Sequence, residues 1–212
     1  MNEPLETTID HICPKCKKLF PERPHTLYGA KEWCTRCNSS LGHYQRSDEE
    51  LKKKMIASGV PLRFSTILRG SESLNVGKIV YSAIENHQPL FLHGPVCTGK
   101  TLALAMFTNS LLHRNVPVFF MVCSETANRL RSNHDQLDQF YQRATTAGHL
   151  MLDDIGSEND TTGWWRGWLG DVVNYRYNNF LPTSASTNIH PTKLDPRLAR
   201  RLTECNLVVE MK

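Results

Sequence analysis

Beyond residue 59 the hydrophobic positions fall into short continuous runs separated by polar stretches of helical period. The runs are QPLFLHG (88–94), VPVFFMVC (116–123), HLMLDDIG (149–156) and CNLVVEM (205–211), and the more polar LPTSASTN (181–188) reads as a further strand. Short apolar runs bounded by turn residues predict buried strands. Helices are predicted between them: 71–87, with Leu74, Val76, Ile79, Val80, Ala83 and Ile84 at helical spacing; 100–114; the polar 125–148; 162–179; and 194–204. Uniformly apolar strands alternating with helices predict an α/β fold, a parallel sheet covered on both faces.

The first part of the chain reads differently. Residues 1–45 carry little apolar content and two CxxC pairs. RSDEELKKKMIAS (46–58) predicts a short charged linker helix, and GVPLRF (59–64) is a break. The predicted organisation is a small module at 1–45, a linker helix at 46–58 and an α/β domain at 59–212. A chain of 212 residues accommodates one ordinary core and such an appendage. No apolar run is long enough to cross a bilayer, and MNEPLETTID is too polar for a secretory signal. The expectation is a cytoplasmic protein without a membrane partner. A net charge of +4 is compatible with nucleic acid without requiring it.

Gly94-Pro95-Val96-Cys97-Thr98-Gly99-Lys100-Thr101 matches G-x4-G-K-[ST], with an apolar strand before it and a helix, opening through Leu102, after it. Loop and helix N–H groups would cradle phosphates there. Lys100 would reach the β- and γ-phosphates of ATP, and Thr101 would offer its hydroxyl to Mg²⁺. Hydrolysis needs carboxylates as well, and LMLDDIG supplies two at a strand end. Asp153 would join the Mg²⁺ shell, and Asp154 would orient or deprotonate the attacking water. The commonest ATPase pattern has Glu at the second position, so Asp154 bears on rate more than on binding. Asn188 ends LPTSASTN, where it could hold water against the γ-phosphate; a turn before His-Pro would read the same way. In RLARRL, any of Arg197, Arg200 and Arg201 could reach a neighbouring subunit's γ-phosphate, or could simply form a basic helix face.

Cys13-x2-Cys16-x17-Cys34-x2-Cys37 has the spacing of a four-thiolate zinc site. A module this small cannot bury enough apolar surface alone, so the metal would supply folding energy. Iron–sulfur is the other option. Lys15, Lys17, Lys18, Arg23, Lys31 and Arg36 make the module basic. Phe20, Tyr28 and Trp33 are either partner anchors or its own small core.

The order PLRF, GPVCTGKT, LMLDDIG, NYRYNN, LPTSASTN and RLARRL resembles the AAA+ ATPases of the DnaC/DnaI helicase-loader type and the related IstB-type transposition ATPases. The resemblance spans roughly residues 59–212. It implies an AAA+ P-loop sheet without a C-terminal lid, since the chain ends after the last strand. It also implies Asn188 as sensor, Arg201 as an arginine finger acting in trans, and self-assembly through the ATPase domain. The family's insertion falls near 124–146, where it contacts single-stranded DNA. Arg129, Arg131 and Arg143 with Phe140 and Tyr141 would suit that role, although an amphipathic helix packing Leu130, Leu137 and Phe140 inward fits the same pattern. DnaI-type loaders resemble the whole layout, with an N-terminal zinc module that grips a replicative hexameric helicase. The resemblance therefore implies ATP-dependent helicase loading, of a kind that suits a phage or mobile element. A transposition ATPase and a nucleotide-regulated adaptor that hijacks a host helicase are the other readings.

Overall fold

The computed structural model describes residues 9–12, 19–22, 48–66, 74–158 and 160–212. The chain divides into two compact units, Met1–Gln45 and Arg46–Lys212. In the first, strands β1 (Ile9–Ile12) and β2 (Leu19–Glu22) pair antiparallel, with Ile9 opposite Glu22 and Ile12 opposite Leu19. Cys13, Cys16, Cys34 and Cys37 lie outside the described residues.

The second unit is built on β3 (Leu90–His93), β4 (Val118–Val122), β5 (His149–Ile155), β6 (Thr183–Thr187) and β7 (Leu207–Glu210). They form one parallel sheet in the order β4-β5-β6-β3-β7. The apolar runs explain β3 to β5, which are buried up to their C-terminal ends; every residue of β6 is buried too, although four of its five are Ser or Thr. β7 is an edge strand and alternates between half-buried and exposed. The connection after β3 crosses to the far side of the sheet, whereas that after β6 returns to β7 beside β3. A crevice therefore opens at the C-terminal ends of β3 and β6, where ligands settle in open α/β sheets.

The helices are α1 (Asp48–Ser58), α2 (Leu74–Glu85), α3 (Lys100–His113), α4 (Cys123–Ser132), α5 (Leu137–Thr146), α6 (Trp164–Asn178) and α7 (Pro196–Cys205). One core gathers Phe91, Phe119, Leu150, Leu152 and Ala185 from the sheet with Trp165, Leu169, Val172, Leu198 and Leu202 from α6 and α7. Helix α1 packs against α3 and β4, burying Leu51 and Met55. Gly59 follows at φ +98, where an added Cβ would collide with the Phe120 carbonyl.

The polar stretch 125–148 is not one helix. It is α4 and α5, joined through a 3₁₀ turn at His134–Gln136, with Asn133 at φ −139 and ψ 74 outside the helical region. Ser132-Asn133-His134-Asp135 is rich in side chains that hydrogen-bond locally and compete with the helix. Cys123, read at the end of the second strand, instead opens α4. No helix among the described residues is long and apolar enough to cross a membrane.

A polar pair sits inside this core. His149 Nε2 shares a 2.8 Å hydrogen bond with Ser184 Oγ, which accepts the Leu90 N–H at 2.9 Å. Phe107 stands edge-on to the ring at 5.3 Å. Burial, helped by the nearby Arg176 charge, pushes the His149 pKa down to about 3. The unfolded chain binds this proton below pH 6.5 and the folded one does not, so stability falls as pH drops from 6.5 toward 3. The expected loss is about 2 kcal/mol between pH 7.5 and 5. Urea unfolding of the native chain and His149→Gln at both pH values should show the wild-type loss exceeding the variant's by that amount.

Candidate functional site

The loop from β3 to α3 turns through three left-handed residues: Gly94 at φ +140, Cys97 at φ +62 and Gly99 at φ +91. A Cβ on Gly94 would run into the Met211 carbonyl oxygen. Gly99 is the N-cap of α3 and has no side chain to cap it, so the first amides of that helix are open to an anion. Lys100 Nζ donates to the carbonyls of Gly94 at 2.9 Å and Pro95 at 2.5 Å, and approaches Thr98 Oγ1 at 3.4 Å. Burial lowers its pKa, and Asp154 and Asp153 partly restore it. The ammonium thus sits inside the loop whose amides would hold phosphates.

The acidic motif meets it from β5. Thr101 Oγ1 donates to Asp153 Oδ1 and Oδ2 at 3.1 and 3.0 Å. Asp153 is buried, which raises its pKa, while hydrogen bonds from Ser186 and Thr101 act in the other direction. Asn188 Nδ2 donates to Asp154 Oδ1 at 2.5 Å. Lys100, Thr101, Asp153, Asp154 and Asn188 therefore converge, and β6 lies between β3 and β5. A hydroxyl beside a carboxylate is a hard oxygen pair of the kind Mg²⁺ takes, with nucleotide and water completing the shell. Among the described residues, no group of three or more His, Cys, Asp or Glu side chains is placed to hold a metal. A groove of about 300 Å³ is lined by Thr98 together with Asn75, Val76, Ile79, Glu210, Met211 and Lys212.

The three arginines of α7 are not equivalent. Arg201 Nη2 donates to Asn174 Oδ1 at 2.6 Å, Nη1 donates to the Arg197 carbonyl at 3.3 Å, and the guanidinium lies 5.8 Å from the Tyr177 ring centroid. Arg200 pairs with Glu204 at 2.6 Å. Arg197 is exposed and has no side-chain partner among the described residues.

In α4 and α5 Arg129, Arg131 and Arg143 are exposed, and two of them lie over aromatic rings. Arg129 donates to Gln136 at 3.0 Å and lies over Phe140. Arg143 lies over Phe119 and donates to the Ala57 carbonyl at 2.8 Å. Phe140 and Tyr141 are half-buried, packed near Phe119 and Trp168. The base-stacking expectation for these two rings gives way to inward packing, because the amphipathic faces of α4 and α5 close over the core.

Sequence reasoning missed Ser186 and Arg176. Ser186 Oγ donates to Asp153 Oδ1 at 2.6 Å and accepts the Asp154 N–H at 2.9 Å. Its signal was present: a serine two residues before Asn188, hence on the same strand face. Arg176, within NYRYNN, is fully buried. Nothing in the local pattern distinguishes it from the surface arginines.

No protein-family model matches the chain. It is 32% identical over 117 residues to the replicative helicase loader DnaI of Bacillus subtilis, covering 54% of this chain. The match covers only 37% of that relative's length. Among solved structures, that of DnaI superposes with a TM-score of 0.63 at 21% identity, covering 72% of this chain and 94% of that one. The DnaC helicase loader gives 0.55 at 22%, covering 70% and 96%. AMPPCP-bound DnaA from Aquifex aeolicus gives 0.54 at 23%, covering 70% and 49%. The five-stranded parallel sheet and its flanking helices thus share the fold of these solved structures.

Proposed function

We propose that the chain is an ATP-dependent loader of a replicative hexameric helicase onto single-stranded DNA at replication initiation. The observation that carries this reading is the convergence of Lys100, Thr101, Asp153, Asp154 and Asn188 in one crevice, in a chain similar to a helicase loader. ATP would bind with its phosphates on the loop between β3 and α3. Lys100 would contact the β- and γ-phosphates, and Thr101 and Asp153 would hold Mg²⁺, which neutralises phosphate charge. Asp154, oriented by Asn188, would take the proton of the attacking water. Arg201 would complete a neighbour's site after leaving Asn174, so turnover would be weak alone and rise on assembly. ATP then acts as a switch on assembly.

The module at 1–45 would hold the helicase and bind zinc, a reading that rests on cysteine spacing. About one zinc per chain is expected by metal analysis, falling toward none in Cys34→Ser. A zinc-free wild type with a folded module would overturn it.

The deciding experiment is capture of a purified replicative helicase by the full chain and by the chain lacking residues 1–45, with and without ATP. Capture that needs residues 1–45, followed by ATP-dependent transfer of the helicase to single-stranded DNA, supports the loader. Capture that blocks loading indicates a hijacking adaptor. No capture, with ATP-dependent binding of duplex DNA, indicates a transposition ATPase.

A further inference from the structure

Successive side chains of a regular strand point to opposite faces. Two adjacent aspartates would then not serve one site, yet Asp153 meets Thr101 and Asp154 meets Asn188. The reason is an irregularity in β5. Its register with β6 runs from Leu152 opposite Ala185 to Ile155 opposite Thr187, so Asp153 and Asp154 together oppose the single residue Ser186. Asp154 also takes φ +61, a region that residues other than glycine seldom occupy. Such a bulge takes backbone groups out of the ladder, and a buried N–H without a partner is costly.

Ser186 resolves both conditions with one hydroxyl. Its oxygen accepts the Asp154 N–H at 2.9 Å and its proton goes to Asp153 Oδ1 at 2.6 Å. At 1% exposure, water does not compete for it. Asn188 lies two residues further on, just past the end of β6, and its amide donates to the Asp154 carboxylate. The backbone and the side chain of Asp154 are therefore held by a residue near the end of β6 and one just beyond it.

We propose that Ser186 is a positioning residue for the acidic pair: it pins the bulge that turns Asp153 toward Thr101 and Asp154 toward Asn188. The inference rests on the reading of Asp153 as the Mg²⁺-side carboxylate and Asp154 as the group that faces water. Ser186 acts through the two aspartates to which its hydroxyl is bonded.

The test uses the full chain, with nucleotide affinity measured in Mg²⁺ and in EDTA, beside steady-state turnover. Ser186→Ala should leave ATP affinity in EDTA within about twofold, lower the gain in affinity from Mg²⁺ about tenfold, and lower kcat about tenfold with a smaller change in KM. Ser186→Thr restores the hydroxyl and should stay within about threefold of wild type in all three. If the alanine variant does not fold, Ser186→Cys keeps the size with a weaker donor and should show the same losses. A variant without the hydroxyl that keeps the wild-type Mg²⁺ gain and kcat overturns the proposal. So does a threonine variant as impaired as alanine, since packing would then be the cause. A wild type that binds no nucleotide, or Lys100→Ala binding as wild type does, removes the site reading and this inference with it.

Discussion

Lys100→Ala is expected to abolish measurable ATP binding. The lysine is the one side-chain cation that the loop encloses, held 2.9 Å from the Gly94 carbonyl at the point where phosphates would sit. A hydrogen bond to a charged group contributes about 1.5–3 kcal/mol. Two such bonds to phosphate oxygens would amount to about 100-fold in affinity or more. Asp154→Asn gives the contrast. It keeps the hydrogen bond from Asn188 and leaves Thr101 and Asp153 in place, so binding should persist. Turnover should fall on the order of 100-fold, because the amide cannot take a proton. Calorimetric titration with ATP and a phosphate-release assay separate the two. Wild-type affinity in Lys100→Ala would remove the loop from the functional site, and wild-type turnover in Asp154→Asn would remove Asp154 as base.

Arg176→Ala is expected to be the most destabilising single change in the second unit. The guanidinium is fully buried and, among the described residues, is paired with no carboxylate. Nε donates to Thr183 Oγ1 at 2.9 Å and Nη2 to the Pro182 carbonyl at 2.7 Å. Nη1 donates to the carbonyls of Ala144 and Ala147 at 2.8 and 2.9 Å, with Thr145 at 3.4 Å. Three of these acceptors end α5, where unpaired carbonyls form the negative pole of the helix, so the helix end compensates the charge. Burial lowers the arginine's pKa to about 10, which still leaves it charged at neutral pH. Truncation would strip buried carbonyls of their donor, at about 1–3 kcal/mol each, and open a cavity as well. The expected loss is at least about 4 kcal/mol, a large share of the roughly 5–15 kcal/mol that holds a domain folded. Urea unfolding measures it. Arg176→Lys should recover less than half, because a point-like ammonium cannot reach acceptors in three directions; if the alanine variant does not fold, the lysine variant carries the test. A loss under about 1 kcal/mol in Arg176→Ala would show that these bonds are replaceable.

Legibility in the sequence followed the range of the interactions. The P-loop could be read because its groups are consecutive: Gly94 to Thr101 supply the turn, the amides, the ammonium and the hydroxyl from one local stretch. Strands β3 to β5 could be read because a strand buried on both faces must be largely apolar. Helices α4 and α5 were harder. Phe140 and Tyr141 beside three arginines fit an inward face and an outward one equally, and packing against Phe119 and Trp168 selected the inward one. Arg176 is the single cation of NYRYNN and Arg201 one of three in RLARRL, yet the first is fully buried and the second is bonded to Asn174 across two helices.

The sequence by itself thus determined most of the alternation of strands and helices and the glycine-rich turn from Gly94 to Thr101, since these depend on contiguous pattern and local backbone freedom. Only the tertiary structure decided that Asp153 and Asp154 share one site, which arginine is buried and which faces of α4 and α5 close inward. Those outcomes depend on strand register and on contacts between residues about thirty positions apart, such as the bond from Ser186 to Asp153 across 33 positions. No local pattern encodes pairings at that distance, because their energy exists only once the sheet has formed.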